Sequence, residues 1–114
     1  MEDSILLSIK KLLGIAPEYE IFDPDIIMHI NSAFSVLTQL GVGPAEGFMI
    51  HDANDSWSQF VAQDARLEMV KSYVFLKVRL LFDPPSSSAV MDAMNRQINE
   101  YEWRLNVAAE GIKS

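Results

Sequence analysis

Five segments of this chain carry apolar residues at the three- and four-residue spacing of amphipathic helices, and each is bounded by start or stop chemistry. The first, about 3–13, sets Ile5, Leu6, Ile9, Leu12 and Leu13 on one face. Lys10 and Lys11 fall in its last turn, where positive charge suits the dipole, and Gly14 supplies a left-handed stop. The second opens with Asp23 as expected N-cap and Pro24 at the first helical position. Ile26, Ile27, Ile30, Ala33, Phe34, Leu37 and Leu40 form its buried stripe, and Gly41 ends it. A capping box of Ser56 and Gln59 precedes a short third helix with Trp57, Phe60 and Val61. After a break near Gln63 and Asp64 comes a fourth helix, about 65–82, with two apolar stripes side by side. Leu67, Val70, Val74, Val78 and Leu81 make one, and Met69, Tyr73, Leu76 and Leu80 the other, so this helix is expected to touch neighbours on two sides. Asp83, Pro84 and Pro85 stop it, and Ser86, Ser87 and Ser88 supply the next cap.

The last helix, about 88–109, presents Val90, Met94, Ile98, Tyr101 and Leu105 on one face. Asp92 with Arg96 and Glu100 with Arg104 are acid-then-base pairs at i,i+4. Residues 110–114 are expected to fray. Between the second and third helices, residues 41–47 are too rich in glycine and proline for regular structure, and 48–50 suit one short strand or an extended loop. With no repeat and no linker, residues 1–114 read as a single all-α domain. The expected architecture is a compact bundle of about five helices around an irregular central loop with room for a short strand or hairpin.

The apolar fraction of 49% suffices for a core without staples. A chain of this size still leaves about a third of its unfolded surface exposed after folding, so part of the apolar content is available to an interface. Cysteine is absent, which excludes a disulfide framework, a thiol nucleophile and a cysteine-ligated metal. Ile5, Leu6 and Leu7 are cut short by Lys10 and Lys11, and the acidic Glu2 and Asp3 precede them, so the pattern is not that of a signal peptide. No stretch approaches the roughly 20 apolar residues of a membrane span, so a soluble, unexported protein is expected. The net charge of −7 disfavours nucleic-acid binding through phosphate contacts.

Candidate chemistry is thin. His29 and His51 lie in different elements, and no HExxH or carboxylate–histidine cluster suggests zinc. Asp52, Asn54 and Ser56 match the first, third and fifth positions of a calcium loop, but Trp57 replaces the required glycine and Gln63 the bidentate glutamate. Turn chemistry explains those residues better. There is no GxSxG elbow, S-x-x-K pair, GxGxxG or P-loop. We therefore expect no catalytic residue, no metal site and no cofactor.

Trp103 is the feature that asks for an explanation. At about 100° per residue it projects nearly opposite the core stripe of the last helix, beside Arg96, Asn99 and Val107. Tryptophan and arginine are enriched at interface hot spots, so this face is a candidate subunit contact. The alternative is a last helix covered on two sides within one subunit, or a partly exposed tryptophan. Phe75, Arg79 and Phe82, on the less apolar side of the fourth helix, form a second candidate surface.

Three stretches, 40–48 (LGVGPAEGF), 73–87 (YVFLKVRLLFDPPSS) and 102–106 (EWRLN), together with the order of elements, resemble the small head–tail connector proteins of siphophages and prophages of Gram-positive bacteria. The resemblance covers nearly the whole chain. It implies a helical adaptor that forms a homo-oligomeric, dodecameric ring under the portal protein, continues the DNA channel and docks a downstream connector or tail-completion protein. It further implies assembly in the host bacterial cytoplasm, a place in the virion neck, and no membrane partner. DNA would pass through without specific binding, and the excess carboxylates would suit a lumen wall that lets it slide. The family has no active site to transfer. The alternative is a DNA-packaging factor of the small-terminase kind, which the acidic balance and the lack of a basic recognition helix count against.

Overall fold

Residues 3–60 and 65–113 are described in the computed structural model, with side chains in the second stretch described over 66–109. The helices are α1 (Ile5–Leu13), α2 (Asp23–Gln39), α3 (Trp57–Phe60), α4 (Ala65–Phe82) and α5 (Ser88–Lys113). The β pairing among the described residues is one isolated antiparallel bridge between Ser4 and Ser56, so the class is all-α. Central to the packing is α4, which meets α2 on one side and α5 on the other while α1 lies against α2 and α4. The molecule measures 44 × 35 × 21 Å, and its shortest dimension is about two helix diameters. A two-layer slab of this kind has broad helical faces that no other layer covers.

Helix ends follow the local chemistry. Ser4 caps α1, its Oγ accepting from Leu7 N at 3.2 Å and donating to Ala53 O at 2.8 Å. Gly14 (φ 82°) closes α1, with Gly14 N donating to Lys11 O and Ile15 N to Lys10 O. The same closure recurs after α2, where Gly41 (φ 87°) donates to Thr38 O and Val42 N to Leu37 O. Ser87 caps α5, its Oγ accepting from Val90 N at 3.3 Å.

The core joins Ile5, Leu6 and Ile9 of α1, the stripe of α2, Val70, Tyr73, Val74 and Val78 of α4, and Ile98, Leu105 and Ala109 of α5. One end of it is aromatic. Phe34 packs its ring 4.6 Å from Phe60, 5.2 Å from Phe48 and 6.1 Å from Trp57. The glycine-rich loop closes over this cluster: Val42 is buried, and Gly43 (φ 86°) passes so near Phe60 that a Cβ there would run into the ring. Beyond it, 48–50 carries no regular secondary structure, and Asn31 bonds the backbone of Ile50 where a strand partner would. Asn31 Oδ1 accepts from Ile50 N at 2.7 Å and its Nδ2 donates to Ile50 O at 3.0 Å.

Several local expectations are corrected. Asp23 is not the N-cap of α2 but its first residue, following Phe22, and its carboxylate is drawn to Lys10 instead. Lys10 lies in the last turn of α1 as expected and is also buried, 1% exposed, whereas Lys11 is exposed. Leu12, Leu81 and Val90, placed on core stripes by spacing, are 56%, 56% and 47% exposed, and each lies in the first or last turn of its helix. Helix α5 continues to Lys113, past the expected end at 109. Of the two i,i+4 pairs on α5, Glu100–Arg104 closes at 2.6 Å among the described residues. The capping box before α3 is half formed: Ser56 N donates to Gln59 Oε1 at 3.0 Å, while Ser56 Oγ turns to Ser58. The side chain of Val61 and the break near Gln63 and Asp64 lie outside the described residues.

Candidate functional site

Five consecutive residues of α5 divide their work between the fold and the solvent. Glu102, Leu105 and Asn106 face inward. Glu102 Oε2 accepts the hydroxyl proton of the fully buried Tyr73 at 2.8 Å, which ties α5 to α4. Burial pushes the Tyr73 phenol well above its ordinary range, and the hydrogen bond and negative charge of Glu102 push it the same way. Leu105 is buried in the core, and Asn106 Nδ2 donates to Leu40 O at 3.3 Å, at the C-terminal end of α2. Trp103 and Arg104 face out, Trp103 with 67% of its surface exposed.

The outer face of α5 extends from Trp103 along the helix. Arg96 and Asn99 are exposed before it and Val107, 45% exposed, follows it. Burying a tryptophan removes roughly 150–250 Å² from water. At about 25 cal/mol per Å², covering the two-thirds of Trp103 now exposed is worth about 3 kcal/mol, the size of an interface hot spot.

Phe75, Arg79 and Phe82 lie differently. Phe75 and Phe82 are half-buried and packed against the core. The Phe82 ring stands edge-on to Phe22 at 5.3 Å, and Phe22 meets Tyr19 at 5.7 Å, so aromatic surface runs from the end of α4 onto the α1–α2 connection. Arg79 serves its own helix end: its Nε donates to Asp83 O at 2.6 Å and stands 3.9 Å from the Asp83 carboxylate. The three therefore do not form one patch with the α5 face.

The calcium-like stretch spends its carboxylates on its own backbone. Asp52 Oδ1 accepts from Asn54 N at 2.8 Å, and Asp55 Oδ2 accepts from His51 N at 2.6 Å and Asp52 N at 3.3 Å. This turn positions the Ser4–Ser56 bridge, where Ile5 N donates to Asp55 O and Trp57 N to Asp3 O. Among the described residues no three of His, Cys, Asp or Glu stand together as a metal site, and no helix is long and apolar enough to cross a membrane.

Polar contacts between elements escaped the sequence reading, among them the Lys10–Asp23 pair, the Asn31 clamp on Ile50 and the Tyr73–Glu102 bond. In each, a single polar residue beside an apolar stripe reaches across to another element. Spacing within one helix does not disclose such a partner. Position did carry a hint in one case, since Lys10 directly follows Ile9 on the inner side of α1.

No curated protein and no solved structure matches the chain. The sequence profile of one protein family, described as phage connector protein, matches residues 5–112. That span takes in α1 to α4, the glycine-rich loop and all but the last residue of α5, so the chain belongs to the phage connector protein family.

Proposed function

We propose that this chain is a structural subunit of a ring at the phage head–tail junction, lying beneath the portal. There it continues the DNA channel and docks the next connector or tail-completion protein. The carrying observation is the outer face of α5, where Trp103 stands out of the fold beside Arg96, Asn99 and Val107 while its neighbours Glu102, Leu105 and Asn106 hold the fold together. Membership of a phage connector family supports the same reading.

The mechanism has no chemical step. Copies meet through two different surfaces and the ring closes where the rotation allows. The α5 face supplies one surface, and Phe75, Arg79 and Phe82 contribute to another. The ring assembles in the host bacterial cytoplasm, is dodecameric in the virion neck, and passes DNA without gripping it. An excess of 16 acidic over 9 basic residues suits a lumen that repels phosphates.

Mixing the protein with its portal and separating the products by sedimentation tests the reading. A discrete portal-bound species is expected, and Trp103→Ala should reduce its yield while leaving the monomer folded. Tight binding to duplex DNA at low salt, without association with the portal, would instead favour a packaging factor.

A further inference from the structure

The connection between α1 and α2 is held more firmly than its length requires. The buried Lys10 ammonium donates to Pro17 O at 3.0 Å and Tyr19 O at 2.8 Å, and lies 2.8 Å from Asp23 Oδ1. A buried cation thus holds the backbone at Pro17 and Tyr19 and reaches the Asp23 side chain beyond Ile21. The side chains it leaves outside alternate in character: Glu18, Tyr19, Glu20, Ile21. Tyr19 is 49% and Ile21 70% exposed, and both glutamates are exposed as well. Pre-organisation of this kind lowers the entropy lost on docking.

Beside α1 lies an open groove of about 1070 Å³, lined by Leu7, Lys11, Leu12, Ile15 and Lys71 among others. Leu12 and Lys71 also line a second depression of about 470 Å³ that leads to Phe75 and Tyr101. Leu12 stands 56% exposed at the junction of the two. Lys11 is exposed on α1; Lys71 lies 5.9 Å from the Trp57 ring centroid and 3.8 Å from Glu68, a largely exposed carboxylate at the groove edge. On a protein of net charge −7, the groove is apolar and two lysines line it, Lys11 and Lys71, the second already facing Glu68. Residues 18–21 carry the complement, apolar with carboxylates, and none of them lines the groove of its own subunit.

We infer that residues 18–21 of one copy dock in this groove of a second copy, with Tyr19 and Ile21 against Leu12 and Ile15 and the two glutamates beside Lys11 and Lys71. The inference rests on the self-assembly proposed above and supplies a contact separate from the Trp103 face. The occupant is a second copy because the chain itself displays, on a fixed ridge, the segment whose charge and apolarity match. The second surface proposed above is then divided between the two sides of the contact: Phe75 lines the depression beside the receiving groove, and Phe82 supports the ridge through Phe22.

The absence of native cysteine makes the contact easy to trap. An Ile21→Cys chain and a Leu12→Cys chain, mixed at high concentration and low salt under mild oxidant, should form the mixed disulfide several-fold faster than Ile21→Cys with Val90→Cys, whose site is exposed on α5. Adding Glu18→Lys and Glu20→Lys to the first chain should lower trapping several-fold. Lys11→Glu in the second chain, at an exposed position that leaves the fold intact, should restore it. Trapping no faster than the control pair, or indifferent to charge reversal, overturns the contact, as does a different virion protein occupying the groove in its place. Sedimentation of the same samples with portal keeps the two readings apart. Assembly without the disulfide removes this contact and leaves the ring, whereas no assembly under any condition removes both.

Discussion

Lys10→Met is the most informative single change to the fold. Methionine keeps the unbranched apolar stem that fills the site but deletes the ammonium. The loss comprises one ion pair at 2.8 Å to Asp23 and hydrogen bonds of 3.0 and 2.8 Å to the carbonyls of Pro17 and Tyr19. Asp23 Oδ1 receives no directed hydrogen bond, so the pair is coulombic, and deleting the ammonium leaves the carboxylate without its compensating charge. Breaking a buried pair by removing one partner costs about 3–5 kcal/mol. Asp23 retains 21% side-chain exposure, so water offsets part of this, and about 3 kcal/mol is expected. At about 4 °C per kcal/mol for a domain of this size, the melting midpoint should fall by about 12 °C. Urea unfolding followed by circular dichroism at 222 nm reads the free energy directly. The Asp23→Asn variant completes a double-mutant cycle, and the two costs should be less than additive by at least about 1 kcal/mol. A Lys10→Met loss below about 1 kcal/mol, or strict additivity, would refute the reading of Lys10 as the internal tie of the α1–α2 connection.

Four further outcomes can be checked on the same protein. Gly43→Ala should cost about 2–3 kcal/mol in urea, because the new methyl meets Phe60 and the backbone is left-handed, whereas Gly47→Ala, with only Thr38 Oγ1 nearby, should cost about 1 kcal/mol. Tyr73→Phe should destabilise by about 1 kcal/mol near neutral pH, since Glu102 is half-buried and water can replace the phenol. The folded phenol titrates above the unfolded one, so its contribution is fully present below about pH 10 and is lost as pH rises further. The stability difference between wild type and Tyr73→Phe should therefore narrow above about pH 10, and a difference that stays flat or widens there would contradict the assignment. Trp103→Ala should change monomer stability by no more than about 0.5 kcal/mol, as expected of an exposed site away from structural ties.

Apolar periodicity carried most of the fold because each stripe answers to one local geometry. Ile26, Ile30, Ala33, Phe34 and Leu37 are buried as their spacing requires, and α4 meets neighbours on two sides as its paired stripes require. Periodicity failed at helix ends, where Leu12, Leu81 and Val90 keep the spacing but stay about half exposed. It also failed wherever a polar side chain works across elements. Lysine beside glycine reads as dipole chemistry within α1, yet the oxygens that bury Lys10 come from the next connection. Asn31 falls outside the apolar stripe of α2, yet its amide bonds both backbone groups of Ile50. Trp103 was legible on the helical wheel because its direction depends only on α5 itself. The ridge at 18–21 was not, since its exposure depends on a tether made elsewhere.

The acidic balance bears on how DNA would be treated. A wall lined by carboxylates releases no counterions from the duplex and so gains nothing by holding it. Placing the 16 acidic residues on an assembled ring is informative for that reason: an acidic inner wall is expected, and a basic one would refute the sliding role.

Electron micrographs of this protein mixed with portal from the same phage offer the shortest route to a decision. Closed rings of copies seated under the portal, depleted by Trp103→Ala, are expected. Portal particles that remain bare, with the protein soluble and monomeric beside them, would contradict a role at the head–tail junction.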